Sequence, residues 1–322
     1  MPPPTPQTAR RLPDFFLAGQ SKSGTTALYE MLRQHPAIFM PATKEPSYYC
    51  RDLLADGGPW QAPTREQYLE LFSPARPAQR VGEASPTYVW APRAAERIAA
   101  DRPDAEVIVV LRDPATFLVS LHAEMLRHRI EVEPDLRRAL ALEPARRRGE
   151  RTVATNSRPS ALHYSERVRY AEHLRRYLAV FDAAQLLVLV YEDVRADNAA
   201  ALRRIFAFLG VDPAFTPHPS AANPSVRLRA PRTRRALTWA TKGDDVVART
   251  GRRLVKAVTP RAARRASVDA VAGHVVYGRP RPADPALLAE LRARFAPEVA
   301  EVSALLGIDL AARWGDGGET AV

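Results

Sequence analysis

The chain has 322 residues, with 47 Lys and Arg against 36 Asp and Glu, a formal net charge of +11, and a hydrophobic fraction of 46%. This balance supports a substantial core and excludes a weakly hydrophobic, charge-dominated disordered polymer, and no apolar run is long enough for a bilayer-spanning helix. The single cysteine, Cys50, excludes an internal disulfide and a thiolate metal cluster, and it fits a reducing, cytoplasmic setting.

Residues 1–12 are proline-rich and lack the apolar stretch of a secretory signal, so they read as a disordered tail. The abundance of Ala, Arg and Pro is the usage of a GC-rich bacterial genome. Residues 14–18 form a short buried strand, followed by a turn bounded by Gly19 and Gly24 and an amphipathic helix over 25–34 with Leu28, Met31 and Leu32 on one face. A triphosphate-binding loop reads G-x-x-x-x-G-K-[ST]. Here the glycine spacing is kept, but Thr25 occupies the lysine slot and Lys22 lies inside the turn. Anion capture survives the change. Backbone N–H groups of the turn and of the helix start point at an oxyanion, the helix dipole favours negative charge, and Thr25 and Thr26 add hydroxyl donors.

Residues 37–40 form a second strand, after which Lys44 and Glu45 stand side by side. Such a pair is either a surface ion pair or, near a bound electrophile, a general base with its neighbour. The segment GEASPTYVW places Glu83 and Ser85 in a turn that starts a helix, with Tyr88 and Trp90 as core aromatics. A helix over 92–100 precedes the clearest buried strand, EVIVVL at 106–111. Arg112 follows it directly, Asp113-Pro114 starts another helix, and Ser120 lies two turns in. A guanidinium at a strand end with a hydroxyl nearby suits a terminal phosphate monoester. The alternative is an Arg112–Asp113 capping arrangement with Ser120 filling space. A helix over 165–180, a strand over 186–190 and a helix over 197–209 that stops at Gly210 complete the alternation.

Strands separated by helices imply an α/β fold: a P-loop-like three-layer sandwich, its central parallel sheet flanked by helices. Ligands in such sheets bind beyond the carboxyl ends of the strands, where each polar motif falls. The expected organisation is a single domain over 1–322, with 226–322 as its mostly helical, basic C-terminal extension. The charge in 226–236 and 248–266 reads either as solvated helix faces or as a surface for an anionic ligand or membrane. With no zinc finger or RNP signature, nucleic acid is not an expected partner.

The ordered set QSKSGTTALYEML, KEPSYY, GEASPTY and RDPATFLVS resembles the sulfotransferases that use 3′-phosphoadenosine 5′-phosphosulfate, in particular the branch of the heparan sulfate enzymes and their bacterial homologues. A looser likeness runs through YEDVRADNAAALRRIFAFLGV and ALLGIDLAARW. The resemblance implies that Ser21, Lys22, Ser23, Gly24, Thr25 and Thr26 hold the 5′-phosphosulfate and that Arg112 and Ser120 hold the 3′-phosphate. It also implies that Lys22 neutralises the leaving oxygen and that Glu45 takes the acceptor's proton. No metal is expected, because a sulfonyl group carries less charge than a γ-phosphoryl group and lysine with backbone donors suffices.

Three departures stand out. Ala84 replaces a lysine common in the heparan branch, which weakens the case for a heparan-like polysaccharide. His122 stands where tyrosine is frequent. The late Lys-Gly nucleotide clamp has no clear copy: TKGDD at Thr241 is a poor match, and an arginine within 227–235 is the substitute considered. Related enzymes with histidine as base make His122 and His163 alternatives to Glu45, whereas His35, before Pro36 at a helix end, is structural. The expected acceptor is a small hydroxylated metabolite, glycolipid or sugar, walled by 51–60 and 128–152, with peripheral contact to an anionic membrane as a further expectation. The competing readings are a P-loop kinase-like phosphotransferase and a non-catalytic nucleotide-binding protein.

Overall fold

The computed structural model describes residues 11–53, 61–128, 130–150, 159–218, 227–228, 277–278 and 283–315. Among these, five strands form one parallel sheet: β1 (Phe15–Gly19), β2 (Ile38–Phe39), β3 (Arg80–Ala84), β4 (Glu106–Leu111) and β5 (Leu186–Val190), in the order β2-β3-β1-β4-β5. The chain runs from β1 outward to β2 and back to β3, then crosses β1 to place β4 on its other side. This reversal opens a crevice beyond the carboxyl end of β1, between β3 and β4.

Alternation along the strands assigns the two faces. Phe16, Ala18, Val107, Val109 and Leu111 face one core, and Phe15, Leu17, Ile108 and Val110 face the other. The first core is closed by α3 (Ala94–Asp101), α4 (Pro114–Arg127), α7 (Tyr170–Leu178) and α10 (Pro285–Leu306) through residues such as Ile98, Leu118, Leu174 and Val302. The second is closed by α1 (Thr25–Leu32) and α9 (Asn198–Phe208) through Leu28, Leu32, Ile205 and Phe206. The expected three-layer sandwich is therefore the observed one. Shorter helices α2 (Arg65–Glu70), α5 (Leu136–Ala141), α6 (Glu143–Arg147), α8 (Tyr191–Ala196) and α11 (Leu310–Gly315) line its ends.

Two expectations about local structure are corrected. The GEASPTY segment is not a turn entering a helix: its first residues, Gly82 to Ala84, are the end of β3 and pair with β1, while Arg80 and Val81 before them pair with β2. Gly82 permits this position: a Cβ there would lie 2.1 Å from the Phe15 ring and 2.4 Å from the Met40 sulfur. The helix expected over 165–180 breaks at Arg169 into a 3₁₀ turn (Ser165–Val168) and α7. Both groups of the missing helical bond have tertiary partners. The Arg167 carbonyl accepts from Gln20 Nε2 at 2.6 Å, and the Ala171 N–H donates to Glu298 of α10 at 2.7 Å.

Residues 1–10, most of the expected tail, lie outside the described residues, while Arg11 donates to the Pro77 and Gln79 carbonyls. The basic stretches, Thr241 and the 227–235 arginines also lie outside them, apart from a short antiparallel pairing of Arg227–Leu228 with Tyr277–Gly278. No described helix is long and apolar enough to cross a membrane.

Candidate active site

The loop after β1 is built for close approach. A Cβ on Gly19 would sit 2.4 Å from Val89 Cγ1, so the strand end packs directly on the turn after β3. Lys22 and Gly24 take left-handed φ values of 64° and 76°, curling the turn so that α1 starts at Thr25. Gly24 offers no side-chain cap, and the first turn of α1 holds no acidic residue, so its leading N–H groups remain available to an anion. Ser23 is fully buried, and its hydroxyl has no hydrogen-bond partner.

A partly buried circuit, of which the sequence-based site holds only Ser21, fixes the entry to this turn. Ser21 N–H donates to Gln20 Oε1 at 3.1 Å, Gln20 Nε2 donates to the Arg167 carbonyl, and Arg167 Nη2 donates to Ser21 Oγ at 3.3 Å. The Arg167 guanidinium stacks 3.9 Å from the Trp90 ring centroid, placing a desolvated cation behind the loop.

Arg112, at the end of β4, is held from several sides. Its Nη1 donates to the Lys22 carbonyl at 2.6 Å, its Nε donates to Thr116 Oγ1 at 3.1 Å, and its guanidinium lies 4.6 Å from the Tyr191 ring centroid. Tyr170 donates its hydroxyl to the Arg112 carbonyl. Asp113 caps α4 through Ala115 N–H, as expected, and its other oxygen binds Arg292 of α10. Ser120 is buried with an unpartnered hydroxyl. Ser23, after β1, and Ser120, on α4, thus each hold a buried, unsatisfied hydroxyl, and Arg112 is joined to the loop through the Lys22 carbonyl. Buried polar atoms are rarely left unpaired, so both hydroxyls are open to a ligand oxygen.

Lys22 extends its ammonium to Glu124 on α4, with Nζ 3.3 Å from Oε2. Partial burial opposes ionisation of Glu124, but hydrogen bonds from His128 and Arg127 and the charge of Lys22 outweigh it, holding the carboxyl well below the usual carboxylate range.

Glu45 stands at the rim above the β3 end. Its N–H donates to the Ala84 carbonyl at 3.0 Å, its carboxylate is half exposed, and it pairs with Lys44. Glu45 and Ser47 have φ values of 59° and 56°. Two non-glycine residues in this region cost free energy, and such strain is concentrated at functional sites. Below them lies Glu83, fully buried, accepting from Tyr68 at 2.7 Å and from Tyr88 at 2.9 Å. Burial, with the nearby charge of Glu45, pushes Glu83 up to about 7 against the lowering effect of Ser85 and the two tyrosines. The histidines named as alternative bases have other partners. His122 is buried with Nε2 on the Glu133 carbonyl, and His163 faces Glu166, while His35 sits between Phe206 and Phe215.

Glu83 yields a pH-dependent stability. Its folded-state value lies above the ordinary 4.5, so folding favours the protonated form. That contribution is complete below the unfolded value and is lost as pH rises through about 7. The shift corresponds to about 3 kcal/mol against the ionised form. Wild type should therefore lose stability relative to Glu83→Gln between pH 5 and 8, as read by urea unfolding. A stability difference that stays constant across this range would contradict the assignment.

Residues 12–223 match the family model described as Sulfotransferase domain. The chain is 30% identical over 203 residues to heparan sulfate glucosamine 3-O-sulfotransferase 3B1 of Mus musculus, covering 63% of this chain and 47% of that protein. It is 29% identical over 254 residues to human carbohydrate sulfotransferase 15, covering 63% and 45%. It thus spans about half the length of these curated relatives. The crystal structure of a sulfotransferase from Alicyclobacillus acidocaldarius superposes with a TM-score of 0.69 at 26% identity, covering 95% of this chain and 99% of that one.

Proposed function

Because the chain belongs to the sulfotransferase domain family, we propose that it moves the sulfonyl group of 3′-phosphoadenosine 5′-phosphosulfate to a hydroxyl or amine of a small metabolite, glycolipid or sugar, without a metal. The observation that carries this reading is the pair of buried, unpartnered hydroxyls of Ser23, in the loop whose Lys22 carbonyl Arg112 holds, and of Ser120, on the helix that follows Arg112. A donor with phosphates at both its 5′ and 3′ positions supplies two anions at fixed separation. The loop from Ser21 to Thr26 takes the phosphosulfate, and Arg112 with Ser120 takes the 3′-phosphate.

The reaction then needs two events from this chain. Glu45 accepts the proton of the acceptor hydroxyl as its oxygen forms a bond to sulfur. Lys22 receives the charge that develops as the bridging S–O bond breaks and its electron pair moves to the 5′-phosphate. The products are the sulfated acceptor and adenosine 3′,5′-bisphosphate. Lys22 stabilises charge that exists fully only after bond breaking, so it acts on the rate more than on binding. The acceptors named in the relatives, a glucosamine in heparan sulfate and a carbohydrate, favour a sugar-bearing acceptor. Ala84 at the end of β3 removes a cation from that side of the site and favours a less charged acceptor than a heparan chain.

Adenosine 3′,5′-bisphosphate should raise the melting temperature well above any effect of ATP, since a ligand selective for the native state stabilises by mass action. Turnover with the phosphosulfate donor should survive EDTA. Stabilisation by ATP alone, together with activity restored only by Mg²⁺, would favour a phosphotransferase instead.

A further inference from the structure

The Lys22–Glu124 ion pair joins the loop to the helix that holds the second anion subsite. Lys22 is fixed at both ends by one structural unit, its carbonyl by Arg112 at the start of α4 and its ammonium by Glu124 three turns later. Glu124 is held in place, taking Arg127 Nε and Nη2 at 3.2 and 2.7 Å and His128 Nε2 at 2.9 Å. It lies one helical turn after Ser120, on the same side of α4. A fixed carboxylate beside a pocket for a multiply charged anion opposes binding of that anion, so its placement against the lysine requires an account.

We propose that Glu124 is a positioning residue for Lys22, a built-in counter-ion that holds the ammonium when no donor is bound and takes it back when the bisphosphate product leaves. The inference rests on the sulfotransferase reading above. Donor binding transfers Lys22 from Glu124 to the phosphosulfate, and this exchange subtracts the strength of the protein's own ion pair from the affinity of the ligand. The same subtraction applies to the product, whose 5′-phosphate keeps a strong claim on Lys22 once the sulfonyl group has gone. Glu124 thus weakens product retention at the step that limits many turnovers. Removing it leaves Lys22 free to remain on the phosphate. The lysine does not become a buried orphan, because the side chain is 22% exposed.

The test is a double-mutant cycle on adenosine 3′,5′-bisphosphate binding, measured by calorimetry at fixed ionic strength in wild type, Glu124→Gln, Lys22→Ala and the double variant. Glu124→Gln should tighten binding by about fivefold, the upper end for a partly exposed ion pair. In the Lys22→Ala background the same change should have little effect, because the competition has lost its object. A gain that persists without Lys22 would show only the removal of a repelling charge and would overturn the inference, as would unchanged or weaker binding in Glu124→Gln. Wild type that fails to bind the bisphosphate would overturn the sulfotransferase reading itself, and the inference with it. If the Gln variant does not fold, Glu124→Asp replaces it in the same cycle. It keeps the charge for Arg127 while falling short of Lys22, and the same outcomes decide.

Discussion

Lys22→Ala is expected to lower kcat by roughly 10²–10³-fold, the usual cost of removing one donor from developing oxyanion charge. Its effect on donor affinity should be much smaller. Truncation should not disturb the loop, because Arg112 holds the Lys22 carbonyl rather than its side chain, and Ser23 N–H still closes the turn on the Gln20 carbonyl. Nor does it strand a carboxylate, since Glu124 keeps Arg127 and His128. The leading N–H groups of α1, the Ser23 hydroxyl and Arg112 remain to bind the ground-state anions, so the missing ammonium is felt chiefly when the bridging oxygen acquires its charge. Steady-state rates over a range of donor concentrations separate the effects. An unchanged kcat with a raised KM would make Lys22 a binding group and remove its assigned role.

The parts of this site legible in the sequence share a local signal. β4 and β5 are apolar runs bounded by polar residues, and the Gly19–Gly24 turn announces itself by spacing. β3 carries no such signal, because Arg-Val-Gly-Glu-Ala has no apolar run. Its burial comes from Phe15 and Met40 filling the space over Gly82, and from the Tyr68 and Tyr88 hydroxyls bonded to the Glu83 carboxylate. The same holds for the supporting residues. Glu124 is 102 residues from the lysine it holds, and Arg167 is 146 from Ser21. In sequence both are ordinary charges on helical segments, and only the crossing of the chain at β1 brings them to the loop. Even the break at Arg169 is tertiary, since an uninterrupted helix would require the Arg167 carbonyl that Gln20 takes.

Glu45→Gln should lower kcat by about a hundredfold or more, the loss expected for a general base. The substitution preserves size and leaves the N–H bond to Ala84 and the strained backbone in place, so it tests the carboxylate rather than the fold. The ion pair with Lys44 is open to solvent on the Glu45 side and contributes little to stability. Glu83 is the rival carboxylate, and the two differ in a measurable way. Buried under Tyr68 and Tyr88, with burial opposing its ionisation, Glu83 lacks the exposure that direct contact with an acceptor requires. Glu45 is half exposed at the carboxyl edge of the sheet, where an acceptor arrives. If Glu83 were the base, Glu83→Gln would abolish turnover and Glu45→Gln would spare it, with the wild-type rate rising through pH 7. If Glu45 is the base, the order reverses, and Glu83→Gln changes mainly the pH dependence of stability. Near-normal turnover of Glu45→Gln with bisphosphate affinity intact would take the role from Glu45 and pass it to a histidine or to Glu83. Loss of turnover with intact affinity places the proton on Glu45.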